Sequence, residues 1–472
     1  MSGANVPRNL KYDQTDVSTL AETLIAKQAP EGRSSSFTEL QKIDFRIPTS
    51  GGFVDSFASS TLNFDLDVTN ASGSAQTTRL DPYLGAHSLI SRIVVTCGGN
   101  IIEDTTQYPI VYKMMKGLHG NESRLQIDRP LSEDVAVQTT NNADGDKFSY
   151  WAITGQATGT TQRYRVRLNL LSCLGSLSGA KYWPSALMDS DIRLEVYLNS
   201  QKQGMIVAHD SVTWALNNVE FQLTRVRLNS RVIDALRSSA QSGGVKMIMP
   251  GFSHFQETIP ATALNNTTAY NTKYSSSASS LKSILLCFRN QANVNALSAN
   301  TFAMNDPLGL EYQFLIGSTL MPARPVNTSV DKYRELMRCM GGPINSLGQR
   351  NLITNSAYNT GINEVLTSDP GCHLIGQSLE MYADHTLSST VFSGVNAINL
   401  TMQAHLRITG VATADRAATV DDFKTTKVVI LNTADPPAPV DQTNVAKTLL
   451  VDSILVFDRL INFTGTEVTM GY

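Results

Sequence analysis

The stretch VEFQLTRVRLNSRVIDALRSS, residues 219–239, changes its apolar period halfway along. In its first part Val219, Phe221 and Leu223 alternate with polar residues, which predicts a β-strand with one buried face. The alternation resumes at Val226 after a slip of one position, and we expect a β-bulge at that slip.

The second part of this stretch has the apolar spacing of a helix, at Val232, Ile233 and Leu236. The flexible sequence AQSGG follows at residues 240–244, and strand-like alternation then resumes. A strand that leads into a short helix and a joint, before more strands begin, predicts a domain boundary at residues 229–244.

Strict alternation recurs on both sides of this boundary. The clearest examples are STLNFDLDVTN (60–70), RYRVRLNLL (163–171), DIRLEVYL (191–198) and INLTMQAHLRI (398–408). Charged residues make up only 17% of the 472 residues, which is low for helical bundles with charged outer faces. We therefore predict an all-β protein with short helices, built as two consecutive units.

Charge and apolar content exclude several classes of partner. The net charge of −3 gives no bulk electrostatic drive toward nucleic acid, so we expect no sequence-specific nucleic-acid partner. The first residues lack the apolar core of a signal peptide, and no apolar stretch is long enough to span a membrane. The five cysteines are scattered and form no CxxC pair, which favours free buried thiols.

Residues 1–40 are predicted to form a polar N-terminal arm. Within it, Val17, Leu20, Leu24 and Ile25 lie at helical spacing, which predicts a short amphipathic helix. Such a helix either docks on a partner, so that these four residues are assembly contacts, or packs on its own domain. The spacing does not decide between the two.

An internal repeat connects the two units. DKYRELMRCMGG (331–342) resembles IVYKMMKGLHG (110–120), and each follows an apolar strand-like run, at 314–321 and 93–100. Both copies predict a strand, a loop, a helix and a glycine. The alternative is two unrelated helical insertions.

No recognisable catalytic, cofactor or metal motif is present, so we expect a protein that is not an enzyme. There is no GxxxxGK[ST] loop, and the histidines never fall at metal-ligand spacing. Arg163, Arg165 and Arg167 share one strand face, which could contact phosphates, but cross-strand pairing with Glu195 is favoured. A site assembled from distant residues stays open.

Four stretches together resemble the double jelly-roll major capsid proteins of tailless phages, adenoviruses and large DNA viruses. They are GGFVDSFASSTLNFDLDV (51–68), LGAHSLISRIVVTCGGNIIED (84–104), VEFQLTRVRLNSRVIDALRSS (219–239) and LVDSILVFDRLINF (450–463). In style the chain is most similar to those of Polinton-like viruses and virophages. The resemblance implies two antiparallel eight-stranded jelly rolls, at residues 41–238 and 239–472.

The same resemblance implies a function. It implies a homotrimer of pseudo-hexagonal outline that tiles an icosahedral virion shell and is made inside the host cell, not secreted. Implied partners are neighbouring capsomers, penton and minor capsid proteins, and an internal membrane through the N-terminal arm. The alternative is a carbohydrate-binding or carbohydrate-active β-sandwich, which would carry clustered exposed aromatic residues.

Overall fold

A computed structural model of the protein describes six segments of the chain. They are residues 22–117, 151–339, 373–380, 394–409, 448–463 and 468–471, except positions 33, 50–51, 75, 82, 157–158, 180, 208, 263–265, 295, 298 and 308. All structural statements refer to these residues.

The described chain is built almost entirely from strands. They are β1 (Glu22–Gln28), β2 (Ser36–Thr38), β3 (Lys42–Ile47), β4 (Phe53–Asn70), β5 (Gln76–Leu80), β6 (Ile90–Cys97), β7 (Asn100–Thr105), β8 (Trp151–Gln156), β9 (Thr161–Leu168), β10 (Ile192–Leu198), β11 (Ile206–Val207), β12 (Val212–Arg227), β13 (Val245–Ile259), β14 (Thr267–Tyr274), β15 (Leu281–Asn290), β16 (Leu310–Ile316), β17 (Thr319–Val326), β18 (Leu374–Ser378), β19 (Met402–Thr409), β20 (Leu449–Phe463) and β21 (Val468–Gly471).

The helices are few and short. They are α1 (Tyr108–Tyr112), continued by a π-helical turn (Lys113–Gly117), α2 (Gln201–Gly204), α3 (Ser230–Gly243) and α4 (Ser329–Cys339). Helix α3 lies between the last strand of the first sheet pair and the first strand of the second.

Four of the five sheets formed by the described strands repeat one pair of strand orders, and the fifth, β11-β5-β8, belongs to the first roll alone. In the first roll, formed by β1 to β12, the order β1-β12-β4-β9 faces the order β3-β10-β6-β7. In the second roll, formed by β13 to β21, β13-β20-β15-β18 faces β14-β19-β16-β17. Position by position these orders match, which is the strand arrangement of two jelly rolls. The predicted all-β fold class is confirmed.

One sheet of the second roll is covered on both faces. All ten residues of β15 are buried, as expected for a strand without a wet side. Ile284 and Leu286 pack inside the second roll, whereas Leu285 and Cys287 pack in a cluster that also contains first-roll residues. The two rolls therefore share a continuous apolar junction.

The predicted N-terminal helix is wrong where the structure describes it. Residues 22–28 form β1, which pairs with β12 from Glu22 opposite Arg227 to Gln28 opposite Phe221. The helical spacing is overridden because the edge of β12 offers this segment a ladder of backbone hydrogen bonds. Val17 and Leu20 lie outside the described residues.

The irregularity predicted after Leu223 is present as a register shift between Gln222 and Thr224, but the extra residues there belong to the partner strand β4. The extra residue of β12 lies earlier, between Asn217 and Glu220, where Asn218 adopts a left-handed φ of 50°. Along β12 itself the alternation of buried side chains continues past Leu223, so that Arg225 points inward and is 5% exposed. An inward arginine therefore interrupts the apolar pattern.

The internal repeat is present as a hairpin followed by a helix. In the first roll β6, β7 and α1 follow one another, and in the second roll β16, β17 and α4 do so. The predicted loop before each helix is instead the returning strand of the hairpin. Two residues separate each hairpin from its helix in both copies.

Candidate functional site: two surfaces and the junction between the rolls

Helices α1 and α4 occupy matching positions but differ in burial. Every residue of α1 is buried. In α4 only one side is buried, and Val330 is 63% exposed. In the hairpin before α4, Leu320 is 44% exposed. Helix α4 therefore presents an apolar side chain, whereas every residue of α1 is covered. The two hairpins do not differ in this way, since Ile101, at the position of β7 that matches Leu320, is 54% exposed.

Strand β1 is the open edge of its sheet among the described strands. Leu24 lies opposite Arg225 and so faces inward, while Ile25, opposite Thr224, faces outward. The two are 49% and 60% exposed, respectively. Both predicted assembly residues that the structure describes are therefore accessible on one strand, on its opposite faces.

Strand β1 lacks the prolines and bulges that often protect a sheet edge. Its counterpart β13 contains Pro250, and the edge strand β17 contains Pro322 and Pro325. Strand β1 contains no proline and pairs with β12 without a register shift. Its Lys27 is held by Glu220 at 3.0 Å. The edge is thus suited to contact another chain.

Two of the three arginines in the stripe of β9, Arg163 and Arg165, form ion pairs with the neighbouring strand β4. Arg163 binds Asp67 at 2.7 Å, and Arg165 contacts Asp65 at 3.2 Å. The Arg163 guanidinium holds the pKa of the Asp67 carboxyl below its usual range. Cross-strand pairing is therefore confirmed, but Glu195 is the wrong partner, because it pairs with Lys42.

A buried polar group lies at the junction of the two rolls. Lys113 Nζ donates to Asp81 Oδ2 at 2.8 Å and to the Phe302 carbonyl at 2.8 Å. Asn300 Nδ2 donates to the same Asp81 oxygen at 2.9 Å. The Lys113 and Asp81 side chains are 0% and 1% exposed. Residues from both rolls thus converge on one carboxylate.

Further contacts connect β7 of the first roll to the end of the second. Arg459 donates to the Ile102 carbonyl at 2.9 Å, and Asn100 donates to the Val468 carbonyl at 3.1 Å. The rings of Trp183 and Phe463 meet edge to face, 5.3 Å apart. Strand β7 of the first roll therefore packs against strands β13, β20 and β21.

Each roll also contains a buried acid paired with an arginine. Burial raises the pKa of Asp55, although Ser185 and Arg225 partly offset it. Burial also opposes ionisation of Asp452, but Arg289 and His254 outweigh it and lower its pKa to about 2. Asp452 accepts from Arg289 Nε at 2.6 Å.

Sequence reasoning missed Lys113, Asp81 and Asn300. The one available signal was a lysine inside the apolar run PIVYKMM. A lysine in such a run requires a buried acceptor, but nothing local identifies Asp81 or Asn300 as that acceptor.

Other candidate chemistry is not assembled in the described residues. They contain no group of three or more metal-binding side chains and no helix that could cross a membrane. The four described cysteines, Cys97, Cys173, Cys287 and Cys339, are buried thiols outside any disulfide bond, as predicted. Burial raises the pKa of Cys97 to about 11, which disfavours the reactive thiolate.

The tryptophans offer little to a carbohydrate. Trp183 and Trp214 are 0% and 4% exposed, so neither presents a ring face for stacking. Trp151 lies in β8, and its side chain is outside the described set. The exposed aromatic cluster that a sugar-binding sandwich would need is not formed by these two residues.

No protein-family model and no curated protein matches the chain. Solved structures do match it over nearly its full length. PBCV-1 VP54, whose crystal structure was fitted into a reconstruction of the virophage Sputnik, is 12% identical with a TM-score of 0.59. That match covers 96% of this chain and 97% of the other.

Two further structures agree. The cryo-EM structure of the Sputnik virophage is 11% identical with a TM-score of 0.54, over 99% of this chain and 92% of that one. The mavirus major capsid protein is 9% identical with a TM-score of 0.52, over 99% and 94%. These neighbours are double jelly-roll capsid proteins. The chain therefore has the double jelly-roll fold that its sequence resembles.

Proposed function

We propose that this protein is a major capsid protein, a structural component whose trimers form pseudo-hexagonal capsomers of an icosahedral shell. The full-length likeness to capsid proteins of virophages and of PBCV-1 supports this. The observation that carries the proposal is internal to the chain. It is the head-to-tail contact between the two rolls.

This contact joins two different surfaces. Strand β7 of the first roll packs against β13, β20 and β21 of the second roll, and the turn after α1 reaches the second roll through Lys113, which donates to the Phe302 carbonyl. A contact between unlike surfaces is heterologous, and its repetition forms a ring when the rotation closes. Three chains with two rolls each supply such a ring with six units.

One copy of each surface is left over in the chain. The second roll leaves its own hairpin and helix, with exposed Leu320 and Val330. The first roll leaves the outer face of its β1-β12-β4 sheet, on which Ile25 of β1 is 60% exposed. We infer that these two surfaces meet between neighbouring chains of the trimer and repeat the contact made within each chain.

The two sheets differ in a way that suits this assembly. On the second roll's sheet the covered face carries Leu285 and Ile454. On the first roll's sheet the matching face carries the ion pairs of Asp65 and Asp67. An apolar contact within the chain is permanent, whereas a polar outer face keeps the free chain soluble until its partners arrive.

Other parts of the proposal concern the remaining partners. We infer that Val17 and Leu20 contact neighbouring capsomers or an internal membrane, and that penton and minor capsid proteins complete the shell. The protein then acts in the virion after assembly inside the host cell, without catalysis, a cofactor or a nucleic-acid sequence to read. The proposed rolls of this subunit are divided near residue 238. The first begins before the expected residue 41, because β1 and β2 pair with β12, and the second is residues 239–472.

Light scattering coupled to size-exclusion chromatography tests the proposal on the purified full-length chain. The expected mass is that of a trimer. A stable monomer at all accessible concentrations would contradict the capsid role.

A further inference from the structure

Lys113, Asp81 and Asn300 form a complete set of reacting groups at the junction. Lys113 carries an amine, Asn300 carries a carboxamide, and both donate to Asp81 Oδ2, at 2.8 and 2.9 Å. The amine and the carboxamide nitrogen therefore lie close together, because both are within hydrogen-bond distance of the same carboxylate oxygen. Lys113 belongs to the first roll and Asn300 to the second.

We propose that Lys113 and Asn300 join through an intramolecular isopeptide bond, which links the two rolls covalently. The Lys113 ammonium first gives one proton to Asp81, and the free amine Nζ then attacks Asn300 Cγ to form a new C–N bond. The bond from Cγ to Nδ2 breaks, and the nitrogen takes up this proton and the second one that Nζ loses. One ammonium and one carboxamide thus give one secondary amide and one ammonium ion, with no oxidant, reductant or cofactor required.

Asp81 can carry the proton from the nucleophile to the leaving group. Its Oδ2 contacts both nitrogens, so it accepts a proton from Nζ and returns it to Nδ2 as that nitrogen departs. Its Oδ1 accepts backbone N–H groups of Tyr83 at 2.8 Å and Leu84 at 3.2 Å. These two bonds hold the carboxylate in place. Because its other oxygen contacts both reacting nitrogens, Asp81 is a catalytic residue of this reaction.

The electrophile is also positioned. Asn300 Oδ1 accepts the Phe302 backbone N–H at 3.0 Å, and this donor stabilises the negative charge that develops on the oxygen during attack. The Phe302 carbonyl accepts from Lys113 Nζ at 2.8 Å. The backbone of one residue thus holds both reacting side chains.

The surroundings exclude water from the reacting groups. The residues Lys113, Asp81 and Asn300 are 0%, 2% and 6% exposed. The Tyr83 ring lies 5.4 Å from Lys113 Nζ, and Tyr83 itself is fully buried. Exclusion of water prevents hydrolysis from competing with the amine. Lys113 also begins the π-helical turn after α1, a type of distortion frequent at functional sites.

Intact mass spectrometry of the folded full-length protein tests the bond directly. The expected mass is that of the sequence less one ammonia, and a peptide map shows one branched peptide that contains Lys113 and Asn300. Lys113→Arg keeps the positive charge, but the guanidinium stays protonated and cannot attack the carboxamide. Asn300→Leu keeps the side-chain volume, and both variants are expected to show the full sequence mass.

A second measurement does not depend on mass. A protease site inserted between Gly243 and Gly244 separates the rolls in the chain after cleavage. On a denaturing gel the cleaved wild-type background stays one band, whereas the Asn300→Leu background gives two. Full sequence mass and two bands from folded wild-type protein would overturn the bond and leave only an ion pair. Because neither readout depends on assembly, the capsid role is tested separately.

Discussion

Leu285 and Leu286 are neighbours in β15, and their side chains lie in two different hydrophobic cores. Leu285 packs in the cluster shared by both rolls, and Leu286 packs inside the second roll. Strand alternation is the cause, since successive side chains point to opposite faces. The β13-β20-β15 sheet is therefore a common wall of both cores.

This shared wall predicts coupled unfolding of the two rolls. Leu285→Ala and Leu286→Ala are each expected to lower the free energy of unfolding by about 2–5 kcal/mol, because both leave a buried cavity. Calorimetry of the wild type should show one transition, and Leu285→Ala should separate it into two. Two independent transitions in the wild type would contradict the shared core.

Arg225 inside the first roll is expected to be far more important for stability than Arg165 on its surface. Arg225 binds Asp55 at 2.8 Å with 7% side-chain exposure, whereas the Arg165 side chain is 53% exposed. Arg225→Met should cost about 3–5 kcal/mol because it leaves a buried acid unpaired. The control Arg165→Met should cost less than about 1 kcal/mol in urea unfolding.

Asp452 predicts a loss of stability in acid. Its pKa is lowered to about 2 from 3.8, so it stabilises the fold above its unfolded pKa. That contribution, of order 2 kcal/mol, is lost as the pH falls from about 4 toward about 2.

Urea unfolding at pH 7 and pH 3 measures this effect. Asp452→Asn should be destabilised at neutral pH and should lose less stability on acidification than the wild type. The control Asp210→Asn, at a pair with 64% aspartate exposure, should behave like the wild type. An unchanged pH dependence in Asp452→Asn would contradict the assignment.

The proposed contact between chains predicts paired effects at two distant positions. Ile25→Lys and Val330→Lys should each shift trimers toward monomers in light scattering, because a charge would be buried in an apolar contact. Leu40→Lys is the control, since Leu40 is 73% exposed in the turn between β2 and β3. Trimers that persist in both variants would place these residues outside the trimer contact.

The sequence predicted those features that depend on local pattern. The alternating stretches predicted strands because apolar residues at every second position share one face only when the chain forms a strand. The hairpin–helix repeat was visible for the same reason, although its returning strands were mistaken for loops.

Features that depend on distant partners could not be predicted. Residues 22–28 form a strand because β12, about two hundred positions away, completes their hydrogen bonds. Arg225 interrupts the apolar alternation of β12 at an inward position, and it can lie there because Asp55 pairs with it from another strand. Asn300 gained a role only when the second roll packed on the first, since no short-range pattern connects it to Lys113.

Negative-stain imaging of the purified protein, with its mass measured by light scattering on the same sample, tests the central proposal most directly. The account predicts trimers with a hexagonal outline, since three copies of a head-to-tail pair form a ring of six rolls. Monomers would contradict it. So would trimers with an open three-lobed outline, in which Val330 and β1 of neighbouring chains are not in contact.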